Sequence, residues 1–479
     1  MPLRLQHADL HLLNLRTRMP FKYGIATMTR MPMAFVRVIL DVEGKSAIGV
    51  ASDLLPPKWF TKDPAKPVAD EIADMLAVIQ NALALSRHLQ GATPFELWRQ
   101  LYAAQLASPV GRQHPPLLAN FGTSLVERAM LDAFCRHSKR PLHQLLISNQ
   151  LGVRLDVGDA SLRGIEPGDL LPARPLPSVM ARHTVGLADP LTDAEIAPGE
   201  RLDDGLPQSL EACIRAYGLR HFKLKVNGQL ERDLDRLRSI ARVLEAHAPP
   251  DYAFTLDGNE QFKSLGDFHI FWETFSHTDG LREFQKHLLF IEQPLHRGAA
   301  LAESVAEDFA KWPARPPIII DESDATLESL PTALRLGYDG TSHKNCKGVF
   351  KGALNRCLLL HRQRRAGVRP WLMSGEDLCN VGPVALLQDL AVCAALGIES
   401  VERNGHHYNA GLSQLPQPVQ EQVLAAHPDL YHRGPRGWPT LTIRGGRVAL
   451  DSVNTAPFGA GFAPDVEQFT PVEKFIADV

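Results

Sequence analysis

Three acidic residues, Asp257, Glu292 and Asp321, each stand at the end of a short apolar run: YAFTLD (252–257), LLFIEQ (288–293) and PIIIDE (317–322). Read as buried strands, these runs carry all three carboxylates to one end of a sheet. Converging carboxylates repel one another unless a cation lies among them. An all-oxygen set favours Mg²⁺, with Mn²⁺ next. Any one of these acids alone reads as a helix cap or a solvated loop residue; three in a row at one repeat spacing read as a site. Lys223 and Lys225 form a Lys-x-Lys pair inside HFKLKV (221–226). At the two-residue period of a strand both side chains face one side, and Phe222, Leu224 and Val226 face the other. A second ammonium or a nearby divalent cation depresses a lysine pKa and favours the neutral amine that a general base requires. Lys344 ends the weaker run DGTSHK (339–344), whose polar flanks also suit a surface loop, and Glu376 ends PWLMSGE (370–376).

The spacing of these residues defines the elements that must hold them. Lys225, Asp257, Glu292, Asp321, Lys344 and Glu376 follow one another at intervals of 23 to 35 residues, against about 31 per unit in a (β/α)₈ barrel of about 250 residues. Helical patterns lie between the runs, as in 231–247, 301–312 and 383–397, and IESVER (398–403) supplies a further strand. Strands alternating with helices predict βαβ units and a parallel sheet. The fold class expected is α/β, a TIM-type barrel over 180–407. A doubly wound open sheet is the alternative, although no Gly-rich phosphate turn follows any strand. Residues 1–150 read as an α+β segment. Strands are expected at 4–16 and 34–42, a loop at 19–32, and helical stretches at 68–106 and 123–147, with Thr123 or Ser124 as N-cap and an interruption at Pro141. The Gly/Pro/Asp-rich stretches 158–178 and 187–208 read as loops or insertions flanking a short apolar run near Arg182.

The chain has 479 residues, a formal charge of −3 and 44% hydrophobic residues, the profile of an ordinary soluble globular protein. The near-neutral balance argues against a dedicated nucleic-acid binder. No stretch approaches the length of a membrane span, and the N-terminus lacks the apolar core of a signal peptide. Six cysteines without a CxxC pair suit a reducing cytoplasm better than a disulfide framework or a structural zinc site.

The series FKLKV, LDGNEQF, FIEQPL, IIIDES and HKNCKG, in that order and spacing, resembles the enolase superfamily. The DES and KxxK elements look more like its muconate-lactonizing branch than like mandelate racemase. The segments SLVERAMLDAF (124–134) with RPLHQLL (140–146) resemble the helical part of the family's capping domain. LTIRGGRVALDS (441–452) with PFGAGF (457–462) resembles the return of the chain to that cap. The resemblance therefore implies a cap built from 1–150 and 408–479 over the barrel. It implies Asp257, Glu292 and Asp321 as metal ligands, Lys225 as base, and Lys223 as its companion near the substrate carboxylate. Asn259 and Glu322 match supporting positions behind the ligands, Glu376 an acid that closes the site, and Phe21–Tyr23 the cap loop over the substrate. The expected reaction is Mg²⁺-dependent abstraction of the proton α to the carboxylate of a small molecule. Racemase, epimerase or cycloisomerase chemistry is placed ahead of acid-sugar dehydration (a lyase reaction), and a non-catalytic ligand-binding member is the reading from another class. A homo-oligomer without nucleic-acid or membrane partners is expected.

The chain departs from the family at the sixth strand. Lys344-Asn-Cys-Lys347-Gly348 is one residue short and lacks the second glycine, which leaves His343 or Lys344 to face the site. His406 and His407, after Glu402, read as surface histidines. The stretches 158–208 and 262–288 exceed the family's usual length.

Overall fold

The computed structural model describes residues 2–365 and 370–478. The chain opens as an antiparallel meander of β1 (Leu3–Tyr23), β2 (Ala26–Val42) and β3 (Lys45–Leu54). The two-residue turn at Glu43-Gly44, both at positive φ, matches the twist of the strands that it joins. Against one face of this sheet lie α1 (Val68–Ser86), α2 (Pro94–Ala107) and α3 (Pro116–Ser138), followed by α4 (Leu142–Ile147). α3 approaches β3 so closely that a Cβ on Gly49 would lie 2.1 Å from the Ala129 carbonyl oxygen, so only glycine fits there.

Two expectations for this region are corrected. The stretch 19–32 is strand rather than loop: Phe21 pairs with Met28, and Tyr23 with Ala26. A register shift between Arg16 and Phe21 absorbs the Met19-Pro20 irregularity, as bulges do for proline. Thr123 and Ser124 do not cap a helix. α3 begins at Pro116, a favoured first helical position, and carries both residues buried in its interior. Pro141 does separate α3 from α4.

The second sheet is a closed parallel barrel of eight strands: β4 (Ser178–Val185), β5 (His221–Lys225), β6 (Ala253–Asp257), β7 (Leu288–Glu292), β8 (Ile318–Ile320), β9 (Gly340–His343), β10 (Leu372–Gly375) and β11 (Ser400–Arg403). β11 pairs with β4, Ser400 opposite Met180, which excludes the open sheet. Helices α5 (Leu210–Tyr217), α6 (Leu230–His247), α7 (Leu265–His277), α8 (Ser304–Lys311), α9 (Ser329–Leu336), α10 (Val349–Arg365) and α11 (Ala385–Leu396) follow the strands in turn. Outward strand residues such as Phe222, Leu224, Phe254, Leu256 and Ile291 are fully buried beneath them. The stretch 262–288 is not an insertion apart from the fold, because α7 occupies its centre. The stretches 158–178 and 187–208 hold only isolated short turns and the beginning of β4.

The C-terminal segment returns to both parts. Arg447–Ala449 adds antiparallel to the start of β4, and Thr470 pairs with Leu12 of β1, where Phe469 stacks on Phe35 at 4.0 Å. Among the described residues no helix is long and apolar enough to cross a membrane.

Candidate active site

Lys225, Asp257 and Glu292 stand side by side in register at the C-terminal ends of β5, β6 and β7, the end at which parallel barrels carry their sites. Lys223 and Lys225 both reach Asp257 Oδ2, at 3.0 and 2.6 Å, as two-residue alternation requires. Lys223 Nζ also lies among Glu292 (2.9 Å), Glu376 (2.5 Å) and Glu402 (3.1 Å). From the far side of the barrel Lys344 Nζ donates to Asp321 Oδ2 at 2.6 Å and to Glu376 Oε2 at 3.1 Å. Every one of these side chains is buried.

The charges respond to this crowding. Burial alone would depress Lys223 and Lys344. The carboxylates around each outweigh burial and raise both well above the ordinary lysine value, so both are ammonium groups. Burial pushes Glu292 up well above the carboxylate range, helped by the charges on Asp257 and Glu376. Asp321 and Glu376 are lowered despite burial, Asp321 by Lys344 and Lys347, Glu376 by Lys223, Lys344 and Arg182. One carboxyl that holds its proton among several that do not is the expected behaviour of a crowded acidic cluster. Oxygens of Glu292, Asp321 and Glu376 lie within 4.8 Å of one another, and an all-oxygen set of that size suits a hard divalent cation.

A second ring surrounds this cluster. The Asn259 N–H donates to Asp257 Oδ1 at 2.8 Å, and its side-chain oxygen is buried without a hydrogen-bond partner. Both Glu322 oxygens are likewise without hydrogen bonds. Burial and the neighbouring Asp321 charge push its pKa up to about 7, and Lys62 Nζ lies 3.8 Å away. The Tyr23 hydroxyl donates to the Pro57 carbonyl at 2.7 Å, which ties the β1–β2 hairpin to the loop after β3. That loop docks on the barrel. Arg297 pairs with Glu260 at 2.7 Å and donates to the carbonyls of Trp59 and Phe60, while Lys62 pairs with Glu260 at 2.7 Å. Trp59 covers Lys344 Nζ at 5.0 Å from its ring centre. Phe21, Tyr23 and Trp59 from the cap close over Lys223, Lys225 and Lys344 and leave about 40 Å³ for water-sized spheres, roughly room for three waters.

At the sixth strand Lys344 faces inward and His343 outward. His343 packs so closely on α10 that a Cβ on Gly352 would lie 2.3 Å from its Nδ1. The shortened motif folds as a tight turn at Asn345–Lys347, which brings Lys347 Nζ onto Asp321 Oδ1 at 2.8 Å. The surface reading of His406 and His407 is also corrected: His407 is buried and His406 half-buried.

Sequence reasoning misses Arg182 and Glu402. Arg182 donates to Glu376 Oε1 at 2.8 Å from β4, and Glu402 accepts from Thr184 at 2.5 Å at the end of β11. Strand alternation was a usable signal for both, because Arg182 and Thr184 share a face and Glu402 stands one residue before the end of its strand.

The chain is similar in fold to several solved structures. A mandelate racemase/muconate lactonizing protein from Herpetosiphon aurantiacus aligns with 95% of this chain and 98% of its own, at 18% identity and a TM-score of 0.59. A muconate lactonizing enzyme from Pseudomonas fluorescens, complexed with muconolactone, aligns over 97% and 98%, at 16% identity and 0.59. An enolase from Bradyrhizobium, complexed with magnesium and mandelic acid, aligns over 99% and 97%, at 14% identity and 0.57. At these identities the likeness is one of fold, and it runs through cap and barrel together. No protein-family model and no curated protein matches the chain.

Proposed function

We propose that this chain is a Mg²⁺-dependent isomerase of the enolase superfamily that removes the proton α to the carboxylate of a small molecule and passes through an enediolate. One observation carries the reading: Lys225 ends the second of eight barrel strands and Lys344 directly follows the sixth, hence they stand on opposite sides of one buried cluster. Two proton-carrying groups on opposite faces of a substrate suit racemisation, epimerisation or cycloisomerisation. Dehydration needs its second proton at a leaving group instead. Similar structures that include an N-succinyl Arg/Lys racemase and a 2-chloromuconate cycloisomerase support the same class.

Glu292 and Asp321 are the metal ligands we assign, with Asp257 as the third. These three end or directly follow consecutive barrel strands, β6, β7 and β8, whereas Glu376, whose oxygen also lies within 4.8 Å of those of Glu292 and Asp321, follows β10 two strands further on. Bound Mg²⁺ would supply Lewis-acid polarisation of the substrate carboxylate. Lys223, fixed as an ammonium, attracts that carboxylate into the site. Lys225 Nζ takes the α-proton, and Lys344, an ammonium, returns one from the other face. Trp59, Phe21 and Tyr23 exclude water while the carbanionic charge exists.

The test is wash-in of deuterium at the α-carbon of a panel of carboxylic acids in D₂O. Exchange that requires Mg²⁺ and stops with a chelator is expected. A folded, Mg²⁺-loaded protein that exchanges none of the panel would sink the proposal.

A further inference from the structure

The histidines after β11 belong to a cluster on the outer side of the barrel wall, away from the carboxylates. On β4, Arg182 and Thr184 point into the barrel, so His183 between them points outward. There it meets Cys213 of α5 and the His406-His407 pair. Ligand atoms of His183, Cys213 and His407 all lie within 4.8 Å of one another, and all three residues are buried. Cys213 Sγ is 3.5 Å from His407 Nδ1, and His406 Nε2 is 3.4 Å from His183 Nδ1. The Nδ1 of His406 is shielded from solvent and has no hydrogen-bond partner.

We propose that Cys213, His183, His407 and His406 form a structural zinc site. Donors about 2.0–2.3 Å from a tetrahedral zinc lie roughly 3.3–3.8 Å from each other; the Cys213–His407 and His183–His406 pairs already meet that spacing, the rest of the His183, Cys213 and His407 set lies within 4.8 Å and must draw in, and His406, outside that set, must shift toward it. One thiolate with imidazoles favours zinc over the hard cation suited to the carboxylate site. The opposite nitrogen of His407, Nε2, faces Asp189 at 3.8 Å, and the Tyr408 hydroxyl donates to the same carboxylate. A carboxylate behind a ligating histidine is the usual support of a metal-bound imidazole. Burial lowers the pKa of His183 to about 4 and that of His407 well below the ordinary value, so both imidazoles are neutral, as ligation requires. Burial raises the Cys213 thiol; zinc binding therefore releases its proton to solvent and leaves a thiolate ligand. The thiolate and Asp189 balance the two charges of zinc. Arg18, which donates to the His407 carbonyl, is already paired with Asp204 at 2.6 Å.

The ligands come from β4, α5 and the segment after β11, and β4 and β11 are the strands whose pairing closes the barrel. Zinc there would fasten that seam. No spacing motif announces the site, because its donors lie on three separate segments.

The test is metal analysis of the purified full chain together with cobalt substitution. One zinc per chain is expected in the wild type, retained under Mg²⁺ excess, and Co²⁺ should give a thiolate-to-cobalt charge-transfer band. Cys213→Ser and Cys213→Val should each lose that band and the rise in unfolding temperature that zinc gives the wild type; the valine variant fills the same space and controls for misfolding. Asp189→Asn should weaken zinc about 10–100-fold. A folded wild type without zinc and without the cobalt band overturns the proposal, as does full zinc retention by either Cys213 variant.

Discussion

Lys225 and Lys344 are paired with different aspartates, and that difference divides their roles at the scale of the residue. Lys225 touches only Asp257 among the acids at the barrel mouth, whereas Lys344 is held by both Asp321 and Glu376. Removal of Lys225 should cost about 10²–10⁴-fold in α-proton exchange, the usual worth of a general base. Lys344→Ala should behave otherwise: exchange should persist for one stereoisomer, through Lys225, while its conversion to the other stereoisomer stops. Proton NMR of the recovered acid in D₂O, with optical analysis, distinguishes the two variants. Equal loss of both readouts in Lys344→Ala would contradict the two-sided arrangement. Lys223 differs from both, since the carboxylates of Asp257, Glu376 and Glu402 hold it as a cation that is not free to accept a proton.

Among the elements, the junction of α3 and α10 links cap to barrel through one buried carboxyl. Glu127 of α3 accepts from the N–H groups of Phe350 at 2.6 Å and Val349 at 3.2 Å, at the first turn of α10. The chain enters this turn through Gly348 at φ +103, and a Cβ there would lie 3.0 Å from Glu127 Oε2. Burial raises Glu127 from 4.5 to about 8, against those two backbone donors. A raised folded-state pKa means that the contribution to stability is complete below 4.5 and is lost as pH rises through about 8. Glu127→Gln should remove this slope: its urea midpoint, compared with that of the wild type, should gain steadily between pH 5 and pH 8. Parallel midpoints across that range would refute the assignment. The same elements show what a sequence makes legible. An ionisable residue at the end of a buried strand has few reasons to be there other than a site, so Asp257, Glu292, Asp321 and Glu376 stand out. Arg182 does not, because its run is framed by loops and its partner acid lies far along the chain. α3 hides its start for a related reason: Asn120, Thr123 and Ser124 are polar yet buried, so no amphipathic stripe marks the helix. The β1–β2 hairpin hides because two prolines and a glycine mimic a loop, while a bulge keeps its register.

For the whole molecule the near-neutral charge conceals a balanced interior. Asp257, Glu292, Asp321, Glu376 and Glu402 face Lys223, Lys225, Lys344, Lys347 and Arg182; with Glu292 holding its proton and Lys225 neutral as the base, four charges of each sign remain. A divalent cation would add two positive charges, which a dianionic enediolate would offset. Exclusion of water strengthens every interaction that holds such charge, and the space left under the cap is about 40 Å³. Substrate entry therefore requires the loop after β3 to lift. Its polar attachments to the barrel are those of Arg297 to the Trp59 and Phe60 carbonyls and to Glu260, and of Lys62 to Glu260, while Trp59 and Phe60 are buried and Phe60 packs on Phe121 of the cap. Local opening that breaks only those polar attachments costs less than unfolding the barrel. The loop carries its own reporters in Lys58 and Lys62, each a trypsin site, whereas Lys66 precedes Pro67 and is not cleaved. Arg297→Ala should speed tryptic cleavage within 58–62 by more than its loss of global stability accounts for, a loss that comes from leaving buried Glu260 with Lys62 as its remaining ion-pair partner. In the wild type, substrate with Mg²⁺ should slow the same cleavage, and in the variant the substrate KM should rise more than kcat falls. Cleavage that is equally slow with and without Arg297 would mean that the loop is held by its apolar contacts, and that opening must involve the β1–β2 hairpin as well.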